Sequence, residues 1–233
     1  MRLFSICFLL LSVLNVFSQE NITSENTQRV KIDSLYREDQ FYFGFTFNVL
    51  QNKPVGLSQS NLSTGLSAGF LRDMPINKTR TVAIASGIGV TYNSYNQNLS
   101  IYKSGQTTFY SIIQNNIGYD KNKFSQLLID VPLEFRWRTS TYESHKFWRI
   151  YGGLKMTYVA LNKSTFVDGN NKIVVSNNKD FNKILYGVYV SAGYNTWNVY
   201  AYYGLNPIFK SAKINTENVD INALNIGIIF YIL

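Results

Sequence analysis

The sequence predicts an all-β protein, an eight-stranded antiparallel up-and-down β-barrel that crosses a membrane. Eight segments alternate apolar and polar residues at the period of a β-strand. The connections between them alternate between long and short, as in a barrel of hairpins. Charged residues make up only 15% of the 233 residues, against about 25% in soluble domains. Aromatic residues, which favour strands and membrane interfaces, also reach 15%.

The N-terminal segment predicts export. Arg2 precedes an apolar run from Leu3 to Val16, and Val16-Phe17-Ser18 fits a signal-peptidase site. We therefore expect residues 1–18 to be a cleaved signal peptide. A transmembrane anchor is the alternative, but the run falls short of the roughly 18 to 20 residues that span a bilayer.

The mature chain is predicted to have one barrel domain. Residues 19–40 are polar and lack strand alternation, which indicates a periplasmic lead-in, and the barrel domain is expected at 41–233. The single cysteine, Cys7, lies in the segment that is removed, so we expect no disulfide.

Two segments show the alternation most clearly. In 41–49 the odd positions are all large and apolar, and the even positions are Tyr, Gly, Thr and Asn. In 127–137 the odd positions are again apolar, and the intervening residues include Asp130 and Glu134. A membrane barrel turns such an apolar face to lipid and the charged face to its interior. A soluble lipocalin-like barrel, the alternative, would put the apolar face inside.

The connections predict the orientation. They run to about 12, 7, 32, 8, 21, 2 and 15 residues. Because membrane barrels have short periplasmic turns and long external loops, the odd-numbered connections are expected outside. The predicted strands are 41–50, 63–72, 80–92, 125–138, 147–161, 183–194, 197–205 and 221–233.

The last predicted strand resembles a second targeting signal, in addition to the signal peptide. It carries a polar residue, a glycine, an aromatic residue and a bulky apolar residue in the order of the C-terminal assembly signal of outer-membrane barrels. We expect the barrel assembly machinery to read this strand, and the protein to reside in the outer membrane. The residues concerned are Asn225, Gly227, Phe230 and Ile232.

Inward-facing charges predict an ion network across a narrow lumen. If the turn after 138 is centred between residues 142 and 143, Asp130 lies opposite Lys155 and Glu134 opposite Tyr151, with Arg149 diagonal to Glu134. Eight strands enclose a space that side chains can fill, so a plugged lumen is expected. A path for ions is the alternative. The predicted network consists of Asp130, Glu134, Arg136, Arg138, Arg149 and Lys155.

Two prolines give further expectations. Pro132 lies inside a predicted strand, where it removes a ladder hydrogen bond, so a bulge or a local irregularity is expected there. Pro75 is assigned to a short turn together with Asp73 and Asn77.

Four blocks of sequence carry a family resemblance. They are Leu128 to Arg136, Trp148 to Gly153, Tyr202 to Ile208 and Asn225 to Ile232. In this order they resemble the PorT-like, porin-family outer-membrane β-barrel proteins of Bacteroidetes-type bacteria. The resemblance implies an eight-stranded outer-membrane barrel, some of whose relatives serve type IX secretion or gliding. It brings no catalytic residues.

Enzymatic and nucleic-acid functions are not expected. The sole histidine, His145, falls in a predicted turn, and no catalytic, metal or cofactor motif is present, so no cofactor is expected. The net charge of +8 comes without a basic helix or a stacking motif, which favours contact with anionic lipid of the outer membrane.

Two functions remain open at this point. One is a structural or interaction barrel whose long loop, 93–124, contacts an envelope or secretion-apparatus protein. The other is a narrow channel for ions or small solutes.

Overall fold

Eight long strands form one closed antiparallel sheet in the computed structural model, which describes residues 37–59, 61–114, 116–139 and 147–232. Five further strands of two to six residues lie beyond the barrel wall. In chain order the strands are β1 (Gln40–Gln51), β2 (Thr64–Pro75), β3 (Val82–Asn96), β4 (Leu99–Ser104), β5 (Thr107–Ile112), β6 (Lys121–Arg138), β7 (Trp148–Asp168), β8 (Asn171–Ser176), β9 (Ile184–Tyr194), β10 (Trp197–Gly204), β11 (Lys213–Ile214), β12 (Glu217–Asn218) and β13 (Asn222–Ile232).

The first and last strands close the barrel. β1 pairs with β13 from Phe41 opposite Ile232 to Gln51 opposite Asn222. The wall runs in the order β6, β3, β2, β1, β13, β10, β9 and β7, and β6 also pairs with β7. The predicted eight-stranded antiparallel fold is therefore confirmed.

The direction of the side chains excludes the soluble alternative. Phe41, Phe43, Phe45 and Phe47 are each about half exposed, whereas the residues between them on β1 are buried inside the barrel. The same outward apolar pattern recurs on β6 and β9. The apolar face is therefore the outer face of the barrel, as a lipid-exposed wall requires.

The two ends of the barrel differ. At one end, which we call the short-turn end, the strands are joined by residues 76–81, 139–147 and 195–196. At the other, the long-loop end, the connections are longer, and the predicted loop 93–124 is largely ordered. Its two ends belong to β3 and β6, and β4 and β5 form a hairpin between them.

The register between β6 and β7 differs from the prediction by two residues. Asp130 lies opposite Thr157 and Glu134 opposite Gly153, and Arg149 is paired with Arg138. The expected pairing of Asp130 with Lys155 and of Glu134 with Tyr151 is therefore wrong. Alternation fixes which face a residue occupies, but it fixes the register only in steps of two.

A β-bulge interrupts the same pair of strands. Leu127 pairs with Leu161 and Leu128 with Val159, which leaves Ala160 as an extra residue on β7. The irregularity expected at Pro132 is separate. Pairing of β6 with β3 stops between Ser86 and Gly89 and resumes in the same register, and the Ser86 hydroxyl donates to the Pro132 carbonyl at 3.1 Å.

In the described part of the chain, no helix is long and apolar enough to cross a membrane. The predicted signal peptide at 1–18, residues 19–36 of the lead-in and His145 lie outside the described residues.

Candidate functional site

An arginine layer fills the lumen near the short-turn end. Arg136 and Arg138 project inward from β6 and are fully buried. Asp73 accepts from both: Arg136 Nη1 lies 3.0 Å from its Oδ1, and Arg138 Nη2 lies 2.7 Å from its Oδ2. Arg136 Nε also donates to Glu134 Oε2 at 2.8 Å. These pairs are short and charge-assisted, so they hold the layer in one geometry.

Residues at the start of β1 and just before it seal this end of the lumen. Glu38 and Gln40 are both buried, and the Glu38 carbonyl accepts from Arg136 Nη1 at 3.2 Å. The Asp39 carboxylate accepts the backbone amide of Asp73 at 2.7 Å. The end of the lead-in is thus part of the barrel interior.

Arg149 completes the layer without sharing the Asp73 carboxylate. Its guanidinium lies 4.5 Å from the centroid of Phe147 and 5.5 Å from that of Tyr231. Arg149 is 2% exposed, so its guanidinium is desolvated and is stabilised by cation–π contacts with these rings.

The middle of the lumen is organised around Asp130. Thr91 and Thr157 donate their hydroxyls to its two oxygens at 2.5 and 2.7 Å. Lys155 Nζ lies 3.7 Å from Asp130 Oδ2, donates to Tyr200 Oη at 3.2 Å and lies 4.4 Å from the Tyr202 centroid. Lys155 therefore meets Asp130 across the ladder diagonal, although the two are not directly opposite.

Little space remains around these groups. Two cavities flank Lys155, one toward Tyr42 and one toward Tyr95, and each is about 20 Å³. Such a cavity holds about one water molecule. This part of the lumen is a packed interior.

Aromatic side chains cover the lumen at the long-loop end. Phe124 on β6 packs against Phe181 and Phe209, with centroids 5.6 Å away in both cases, and stacks on Tyr95 at 4.9 Å. All four are at most 2% exposed. Because Phe181 and Phe209 come from the connections after β8 and β10, the long loops themselves form this cover.

A groove of about 500 Å³ opens above that cover, between the β4–β5 hairpin and the segments after β8 and β10. We call it the loop groove. Tyr110 donates to Asp180 at 2.7 Å and accepts from the Asn178 amide at 2.7 Å, which ties the hairpin to the groove floor. Burial, and then the hydrogen bond to Asp180, raises the pKa of Tyr110 above its ordinary value, so the hydroxyl stays protonated. The cationic residues of the lining are Lys103, Lys179 and Lys213.

The outer wall carries two aromatic girdles. Trp137, Trp148 and Trp197 are exposed at the short-turn end, and Tyr92, Tyr158, Tyr186 and Tyr203 are exposed toward the other end. Ten residues along β7 separate Trp148 from Tyr158. With a rise of about 3.3 Å per residue and a tilt of about 40°, this is a height of about 25 Å, the thickness of the apolar band of a membrane barrel.

The residues of the predicted assembly signal lie on the closing strand. Phe230 and Ile232 point outward, and the Phe230 ring meets Trp197 at 4.7 Å. Asn225 is buried in the lumen. Gly227 lies so close to β1 that a Cβ there would be 2.0 Å from the Phe45 carbonyl oxygen.

A model of the outer-membrane protein beta-barrel domain matches residues 17–210, most of the chain. The chain belongs to this family. It is thus an outer-membrane β-barrel protein. Because such barrels have short periplasmic turns, we expect the long-loop end to be the external end.

Solved structures give distant likenesses. The attachment invasion locus protein Ail of Yersinia pestis is similar at 12% identity and a TM-score of 0.38, over 84% of this chain and 99% of that one. A structure from work on the asymmetric conductivity of engineered proteins is similar at 6% identity and a TM-score of 0.21, over 83% and 99%. Neither adds to the family match. No curated protein matches the sequence.

Two residues of the lumen network were not predicted from the sequence. Asp73, assigned to a turn, is an inward residue of β2, and Glu38, assigned to the lead-in, is buried at the lumen mouth. A signal for both existed, since the predicted network held four cations and only two carboxylates. Such an excess is costly in a buried space. Among the described residues, no group of three or more His, Cys, Asp or Glu side chains could hold a metal ion.

Proposed function

We propose that this protein is a closed, non-enzymatic barrel of the outer membrane that acts at its long-loop end by contacting an envelope protein. The observation that carries the proposal is the packed lumen. The acidic side chains Asp73, Glu134 and Glu38 enter the same layer as the three arginines, and the two cavities beside Lys155 are about 20 Å³ each. A neutralised, filled interior supports a structural role.

The loop groove is the proposed contact site. Its three lysines come from three separate segments, and none of them has an ion-pair partner among the described residues. Asp180 is already engaged by Tyr110 and by the Ser211 hydroxyl at 2.8 Å. The groove therefore offers cations on a rigid floor, which suits a partner with an acidic, polar surface.

The finer family assignment belongs to this proposal. The four sequence blocks support a PorT-like protein of Bacteroidetes-type bacteria, and with it a role in the type IX secretion or gliding apparatus. Cleavage after Ser18 and recognition of β13 by the barrel assembly machinery complete the proposed route to the membrane.

Conductance in planar bilayers tests the closed barrel. The purified full chain is expected to give no steady openings. The narrow channel, the second candidate, is favoured by the charged inner face. Steady openings whose conductance changes in Arg136→Gln and Arg149→Gln would establish it and overturn the closed barrel.

Chemical cross-linking in cells tests the loop contact. Replacing 102–109 by a short turn removes the tip of the β4–β5 hairpin but leaves β3 and β6 intact. A partner that cross-links to the native protein is expected to be lost in this variant and in K103Q/K179Q/K213Q. Undiminished cross-linking in both would contradict the groove as the contact site.

A further inference from the structure

Four lysines share one outward face where the wall formed by β6 and β7 continues above the apolar band. Lys121 and Lys123 lie on β6, Lys163 lies on β7, and Lys172 lies on the adjoining strand β8. We call this the lysine face. It lies outside the loop groove and plays no part in the function proposed above.

The strand register fixes the spacing of the face. Leu127 pairs with Leu161, which is the first outward residue of β7 beyond Tyr158 of the upper girdle. The next outward row pairs Ser125 with Lys163, and the row above it pairs Lys123 with Thr165. Directly paired residues point to the same side of a sheet, so Lys123 and Lys163 are diagonal neighbours.

The other two lysines belong to the following row. Val167 pairs with Lys121 on one side and with Lys172 on the other. Four cations thus surround Thr165 and Val167 on a three-stranded patch. The carboxylates near this patch belong to Asp120 and Asp168 at its tip, and Asp120 accepts the Gly169 amide at 2.9 Å.

The lysine face begins just above the lipid-exposed wall. Lys163 lies two residues beyond Leu161, which is about 5 Å higher at a rise of about 3.3 Å per residue and a tilt of about 40°. The polar region of a leaflet occupies about 5 to 7 Å beyond the hydrocarbon. Lys163 therefore starts nearest to this layer, and Lys123, Lys121 and Lys172 start one and two rows further out, where the larger headgroup of a glycolipid continues.

The positive charge is unevenly distributed around this end of the wall. None of the four lysines forms an ion pair within residues 37–59, 61–114, 116–139 and 147–232. On β1, β13 and β2 the outward residues at the same end are uncharged: Val49 on β1 pairs with Leu224 on β13, and Thr64 begins β2. Surface lysines that served solubility alone would not need this uneven distribution.

We propose that the lysine face binds the anionic headgroup of an outer-leaflet glycolipid through its phosphate groups. Lys ammonium groups are point charges suited to phosphate, and the Thr165 hydroxyl on the same face adds a neutral donor. Continuity with the lipid-exposed wall selects a membrane lipid over a soluble anion. The bound lipid would fix the rotational setting of the barrel in the outer leaflet.

The test uses the full chain folded in phosphatidylethanolamine vesicles with or without lipopolysaccharide, and the midpoint of thermal unfolding is measured. Lipopolysaccharide is expected to raise the midpoint of thermal unfolding of the native protein. Its enzymatically dephosphorylated form and free inorganic phosphate are expected to leave that midpoint unchanged. In K121Q/K123Q/K163Q we expect the lipopolysaccharide concentration for half of the rise to increase at least about tenfold. K103Q/K179Q/K213Q, with the same change in charge at the same end, should respond like the native protein.

Three results would overturn the proposal. They are an equal response of the two triple variants, an equal effect of dephosphorylated lipopolysaccharide, and a full shift with inorganic phosphate alone. Each is independent of the conductance and cross-linking results, so failure here leaves the closed barrel standing.

Discussion

Asp73 binds Arg138 through two parallel hydrogen bonds, with Arg138 Nη1 2.8 Å from Oδ1 and Nη2 2.7 Å from Oδ2. The same carboxylate accepts a hydrogen bond from Arg136, so one residue of β2 pairs with two neighbours on β6. β3 separates these strands in the wall. The contact therefore crosses the lumen and braces the barrel.

The first prediction concerns this brace. Asp73→Ala leaves two buried guanidinium groups without their shared acceptor, which should cost about 3 to 5 kcal/mol of unfolding free energy. Urea unfolding in detergent micelles or vesicles measures the loss. Asp168→Ala, at an exposed tip, is the control and should change stability by less than about 0.5 kcal/mol. Equal effects of the two changes would contradict the brace.

The second prediction concerns Asp130 and Lys155. Asp130→Ala should cost more than Lys155→Ala, because Asp130 also accepts the hydroxyls of Thr91 and Thr157. The double variant should cost less than the sum of the single changes, by about 0.5 to 3 kcal/mol. A double-mutant cycle in urea measures this coupling. Strict additivity would show that the two charges do not interact.

The third prediction concerns the packing of Tyr42. A Cβ at Gly89 would lie 1.9 Å from the Tyr42 hydroxyl oxygen and 3.0 Å from its Cζ. Gly89→Ala should therefore cost about 1 to 3 kcal/mol in the native background. In the Tyr42→Phe background the hydroxyl is gone, and the same change should cost less. An unchanged cost, measured by thermal unfolding, would place the strain elsewhere.

The fourth prediction concerns the seam between β1 and β13. Replacing Phe230 and Ile232 by Asp puts charges on the lipid face of the closing strand, so folded protein should not accumulate in the outer membrane. Gel mobility with and without heating measures the folded fraction. The conservative double change to Leu and Val is the control and should assemble. Normal assembly of the Asp variant would remove the case for β13 as an assembly signal.

The barrel was predictable because lipid on one side and a narrow interior on the other impose strict alternation. The segment from Phe41 to Val49 shows this alternation in the sequence alone. The small strands β4, β5, β8, β11 and β12 were not predicted, because they lie above the membrane, where water removes that constraint.

The lumen network was predictable only in part for a different reason. Inward parity identified Arg136 and Arg138, but their partner Asp73 is two strands away and precedes a Met-Pro pair that reads as a turn. Contacts across the lumen depend on the stagger of the whole barrel. A register that parity leaves open in steps of two cannot supply them.

The bulge at Ala160 decides which way the upper part of β7 faces. Below it the even-numbered residues from Trp148 to Tyr158 point outward, and above it the odd-numbered residues Leu161 and Lys163 do. The extra residue shifts the alternation of inward and outward side chains by one position. If Ala160 were paired regularly and the bulge were absent, Lys163 would point into the barrel and Asn162 toward the membrane, so the bulge sets the direction of every side chain that β7 presents above the bilayer.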